Sequence, residues 1–81
     1  MSERLMMQGK LSEAQREQKR LRMKADGLIK AIRLAINPTL AKVEEMEIAQ
    51  AGLQMDELVM VQVELLVLGN EIERLEKMLH G

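Results

Sequence analysis

Residues 58–68 read Leu58-Val59-Met60-Val61-Gln62-Val63-Glu64-Leu65-Leu66-Val67-Leu68, and whether they form a strand or a helix decides the fold. The four valines favour a strand, because β-branched side chains suit a pleated surface. A strand needs a partner of period two, and no other part of the chain has that pattern. Downstream, Glu71-Ile72-Glu73-Arg74-Leu75-Glu76-Lys77-Met78-Leu79 is rich in strong helix formers. Leu58, Val61, Leu65, Leu68, Ile72, Leu75 and Leu79 follow steps of three and four, the narrow seam of a helix packed along one partner. The stretch therefore reads as helix. It falls well short of the roughly 20 apolar residues needed to span a bilayer, so no membrane segment is expected.

A second seam lies upstream. Met7, Leu11, Ala14, Gln18, Leu21, Ala25, Leu28, Ile32 and Ala35 keep the same alternation, interrupted only by the polar Gln18. Gln18 is either a tolerated polar residue or one that sets register with a partner helix. From Leu28 to Ile36 the apolar stripe widens, which predicts deeper burial at that end. Between the seams, Asn37-Pro38 is the clearest punctuation: proline disfavours helix at the residue before it and suits the first turn of a new, Asn-capped helix. A tight turn there makes an antiparallel helical hairpin, the all-α fold expected for residues 1–81 as one domain. Ser12 and Gln15 have capping-box spacing just after Gly9, so helix 1 starts either at Ser12, leaving 1–11 looser, or earlier if the seam back to Met7 governs. The second seam does not extend cleanly upstream of Gly52, since it would bury Glu44 and Glu47. A bend or break near Gly52 is expected, within one helix from 38 to 79 or between helices of about 38–50 and 54–79. Gly27 reads as a place of close helix packing, and Met46, Met55, Met60 and Met78 as core gap-fillers, with a flexible partner-binding groove as the alternative.

The composition bounds the function. With no Cys, disulfides, thiol catalysis and Cys-based zinc sites are excluded, and with no Phe, Tyr or Trp the core must be aliphatic. No apolar run of signal-peptide length lies near Met1–Met7, so a cytoplasmic location is expected. The net charge of −1 hides two halves of opposite sign: residues 1–42 carry ten bases and four acids (+6), and residues 43–81 two bases and nine acids (−7). Such a division favours one half packing on the other, within or between chains.

Two features point to self-association. Placed at about 100° per residue, the apolar residues of 58–68 occupy every quadrant of their helix, and a helix that is apolar all round must be covered all round. One antiparallel partner covers only a stripe. The expected closure is a homodimer of hairpins, a four-helix bundle or coiled coil with an interface built from Leu28, Ile32, Leu58, Val59, Val61, Val63, Leu65, Leu66, Leu68 and Ile72. Charge adds a weaker argument. A turn at 37–38 opposes residues whose numbers sum to about 75, which leaves positive charge around 16–24 and negative charge around 71–76 for a second copy to match.

Other chemistry has few candidates. Arg16, Lys19, Arg20, Arg22 and Lys24 form a basic run that could bind nucleic acid or another polyanion through its backbone charge, and Lys30 and Arg33 extend it. Glu13 and Glu17 interrupt the run, and stacking aromatics are absent. Glu44, Glu45 and Glu47 have no histidine at metal-binding spacing, and His80 stands alone near the end of the chain. Ser2, Ser12 and Thr39 have no neighbouring base, and the glycines are scattered singly, so no nucleophile, phosphate loop, metal or cofactor is predicted. In length and in its long helices the chain resembles chorismate mutases of the helical type, small dimeric enzymes that hold a dicarboxylate with Arg and Lys. Arg16, Arg20, Lys24 and Arg33 fall into no motif that matches residue by residue, so no site carries over. The sequence reading is a non-catalytic oligomerisation or protein-interaction module, ahead of a nucleic-acid-binding regulator, with a small helical enzyme third.

Overall fold

Two helices of 33 residues each, α1 (Glu3–Ala35) and α2 (Ile48–His80), make up most of the computed structural model, which describes residues 2–80. They pack side by side as an antiparallel hairpin, and among the described residues there is no strand. Every residue of the upstream seam, from Met7 to Ala35, is buried or half-buried, with Ala14, Leu21 and Ile32 innermost. Gln18 is half-buried among them. On α2, Val61, Ile72, Leu75 and Leu79 are buried, and Leu58, Leu65 and Leu68 half-buried. The strand alternative for 58–68 is thereby set aside, for want of any period-two partner.

The molecule is a rod of 60 × 18 × 15 Å with a radius of gyration of 18.2 Å. A compact globule of this length would have about 12 Å. Two seams of alternating three and four residues make one long contact line, and none of the described residues folds back over its flanks.

The connection differs from the predicted tight turn. α1 ends at Ala35 and is capped by Ile36, whose N–H donates to the Ile32 carbonyl. Asn37 then does cap a turn: its Oδ1 accepts from the Thr39 N–H at 3.0 Å and the Thr39 hydroxyl at 2.7 Å. The Leu40 and Ala41 N–H groups donate to the Asn37 carbonyl, so one helical turn forms. It does not propagate. A 3₁₀ turn at Val43–Glu45 follows, and α2 begins only at Ile48, ten residues after Pro38. A helix continued from Pro38 in phase with the α2 seam would press Glu44 and Glu47 into apolar contact, and burying an unpaired carboxylate is costly. Leaving helical geometry between 41 and 47 resets the phase.

No break occurs near Gly52. α2 runs uninterrupted through Gly52 and Gly69, and the seam continues upstream through half-buried Gln54 to buried Ala51. The phase shift read at Gly52 is the start of the helix. Likewise, α1 does not start at Ser12 but extends the Met7 seam back to Glu3, with Ser2 preceding it. Gly27 is not a close-packing site, since a Cβ there meets nothing within 4 Å. Of the four methionines read as gap-fillers, Met46 is half-buried and Met55, Met60 and Met78 are exposed.

Because Ala35 and Ile48 flank the connection, opposed residues have numbers that sum to about 83 rather than 75. The ion pair from Lys24 Nζ to Glu57 Oε1, 3.2 Å, crosses between the helices in this register. Arg16–Lys24 thus face 59–67, which contains only one acid, Glu64.

Candidate interaction surface

With the α2 seam turned to α1, the period of the helix fixes what faces away. Measured at about 100° per residue from Val61, Val59, Val63, Leu66 and Val67 lie in the half opposite the seam, with Met60 beside them. None is covered: Val61 is 2% exposed, whereas Val59 is 50%, Met60 61%, Leu66 64% and Val67 63% exposed. Ile48, Leu53 and Met55 continue the apolar face toward the start of α2. Asp56 is the only charge within that outward half between Ile48 and Val67. Among the described residues, seventeen large apolar side chains are exposed against eight apolar ones that are buried rather than half-buried, so the hairpin leaves a large part of its hydrocarbon open to water.

The interface residues expected from the sequence divide into two sets. Leu28, Ile32, Leu58, Val61, Leu65, Leu68 and Ile72 lie in the intrachain seam, where α1 and α2 bring them together. Val59, Val63 and Leu66 lie outside it, on the open face of α2. Ala51 and Gln54 belong to the seam and were missed, although the steps from Leu58 back to Gln54 and Ala51 keep the pattern; the polar Gln54 masked it. The Oε1 atom of Gln54 is buried without a hydrogen-bond partner. Apolar grooves run along both flanks of the rod. One, of about 390 Å³, lies between Ala25 and Ile29 of α1 and Met55, Leu58, Val59 and Gln62 of α2. The other, of about 260 Å³, is bounded by Leu21, Val63, Val67 and Leu68, with Glu17 and Glu64 at its rim.

α1 presents a different outer surface. Arg20 donates to Glu17 through Nε at 3.0 Å and through Nη2, and Lys24 is tied to Glu57. Hydrogen bonding from Arg20 holds the Glu17 carboxyl below the usual carboxylate range, and the same contact raises the Arg20 guanidinium. Arg16, Lys19 and Arg22 have no ion-pair partner among the described residues, and neither do Lys30 and Arg33. On the α1 wheel Arg16, Lys19, Lys30 and Arg33 fall in the half facing away from α2, interrupted by Asp26, and Arg22 lies at its edge, lining a groove with Gln62, Leu65 and Asn70 of α2. The structure thus sorts the predicted basic run: Arg20 and Lys24 turn to carboxylates, and Arg16, Lys19 and Arg22 face solvent. Within α2, Glu73 pairs with Lys77 (Nζ–Oε1, 3.2 Å); across the hairpin, Glu71, Glu73 and Glu76 lie level with 7–12, where Lys10 is the only base.

Glu44 and Glu45 sit in the 3₁₀ turn and Glu47 just before α2. Among the described residues, no three His, Asp or Glu side chains converge on a metal-sized site, and no helix is long and apolar enough to cross a membrane. His80 is the exposed last residue of α2. No protein-family profile matches the chain, and neither the curated proteins nor the solved structures with which it was compared include a significant relative.

Proposed function

We propose that this chain is a non-catalytic self-association and protein-interaction module, in which two hairpins join through the outward face of α2 into a four-helix bundle or elongated coiled coil. The observation that carries the reading is the contiguous exposed row Val59, Met60, Val63, Leu66 and Val67. An apolar helix face of this kind gains free energy by burial, at roughly 25 cal/mol per Å² removed from water, and a second copy supplies an equal face. Sedimentation velocity at micromolar concentration tests it. The wild type is expected at twice the mass of one chain, and Val63→Glu at the mass of one chain. A wild-type protein that is fully helical and monomeric under those conditions refutes the proposal.

A second reading rests on a separate observation, the five unpaired bases along the outward half of α1 and its edge. Arg16, Lys19, Arg22, Lys30 and Arg33 form a ridge that could follow a phosphate backbone without reading sequence. Titration with DNA and RNA at about 50 mM salt decides it. Phosphate contacts strengthen as salt falls, so an absence of binding there removes this reading.

A further inference from the structure

The outward face of α2 contains a second seam. Asp56, Met60, Val63, Val67, Asn70 and Arg74 are separated by steps of four, three, four, three and four, and all are exposed. That series is the same read in either direction, with its midpoint at residue 65. Asp56 and Arg74 stand at its ends, 18 residues or five helical turns apart, and so at the same angle on the helix. Neither has an ion-pair partner among the described residues; the one side-chain contact of Arg74 is Nη1 to the Met78 sulfur at 3.6 Å.

We infer that the second copy docks with its α2 antiparallel to this α2, about a two-fold axis at residue 65, so that Asp56 of each copy pairs with Arg74 of the other. The inference rests on the self-association proposed above and adds its orientation and register. About this axis every seam position meets a seam position: Asp56 meets Arg74, Met60 meets Asn70, and Val63 meets Val67. The two valine pairs lie at the centre and the two ion pairs at the rim, as in interfaces with an apolar core and polar edge. Parallel docking would set Asp56 on Asp56 and Arg74 on Arg74, like charges in contact. The neighbouring antiparallel register, with its axis midway between 61 and 62, would press Asp56 against Val67 and leave Arg74 opposite Ala49. Charge therefore selects the axis at residue 65.

Two measurements on the full chain test this. The first is the dimer dissociation constant, by sedimentation equilibrium, of Asp56→Arg, Arg74→Asp and the double variant carrying both. Each single reversal places like charges at both symmetric pairs and is expected to weaken the dimer about tenfold, within the range of exposed ion pairs. The double variant restores the pairing and is expected to recover most of the wild-type affinity. The second is the distance between nitroxides attached at Lys77→Cys, the only thiol in each chain. Lys77 lies 12 residues from the proposed axis, so the labels should sit about 36 Å apart along the rod. A dimer with labels within about 15 Å is parallel, and one with labels about 46 Å apart along the rod has the neighbouring register. Either result, or a double variant no tighter than its parents, overturns the inference while leaving self-association intact. A monomeric wild type overturns both.

Discussion

Gln18→Leu should make the protein more stable. Gln18 is the single polar residue in the α1 seam, half-buried between Ala14 and Leu21, and it lines a groove with Gln62 and Leu65 of α2. Among the described residues no side-chain hydrogen bond reaches it. Full burial of a leucine side chain is worth about 1.5–3 kcal/mol, and a half-buried position realises roughly half of that, about 1 kcal/mol. For a domain of this size, 1 kcal/mol moves the melting midpoint by about 4–8 °C. The assay is far-UV circular dichroism during heating, with variant and wild type at one fixed concentration, because association makes the midpoint concentration-dependent. An unchanged or lower midpoint refutes the reasoning. It would mean that the amide has a hydrogen-bond partner in the assembled protein and that Gln18 sets register there.

Other outcomes follow from the same packing. Leu75→Ala, at a site 2% exposed, should cost about 2–4 kcal/mol in urea denaturation, whereas Leu34→Ala, 65% exposed on α1, should change stability by less than about 0.5 kcal/mol. Gly27→Ala should stabilise by about 0.5–1 kcal/mol in the same assay, because the glycine is mid-helix and a methyl group there meets nothing within 4 Å. The Glu17–Arg20 pair has a pH signature. The folded Glu17 carboxyl titrates below its unfolded value, so its contribution is complete above the ordinary carboxylate range and lost as pH falls through the folded value. Melting curves of wild type and Arg20→Gln should therefore differ near neutrality and converge in acid, and carboxyl NMR should place the Glu17 midpoint higher in the variant.

Both seams were legible in the sequence because a hairpin of this kind is written in one repeating step. Each residue named from Met7 to Ala35 and from Leu58 to Leu79 lies on the packed side. What the steps do not encode is where a helix begins when the residues before it are themselves compatible with helix. Leu40, Ala41, Lys42 and Val43 carry no stop signal, and Asn37-Pro38 is a good helix start that here makes only one turn. The deciding term is non-local: the phase of a seam ten residues downstream, and the charge on Glu44 and Glu47 that this phase would bury. The candidate surface was legible in kind, since residues 58–68 are apolar on all sides. Its division into an inner row and an outer row required knowing that α1 of the same chain covers the seam side of α2, which leaves the opposite side open.

That connection also separates two jobs that a tight turn would combine. Residues 36–47 span the gap between neighbouring helices, whose axes lie about 8–10 Å apart, with far more chain than the distance requires. Alignment is therefore dictated by the seams, and the linker only tethers. Doubling the length of a flexible tether costs about 0.6 kcal/mol. Exposed Thr39 and Leu40 thus mark a permissive splice point, where a peptide epitope or reporter could be inserted while Leu21, Val61 and Leu75 keep their neighbours.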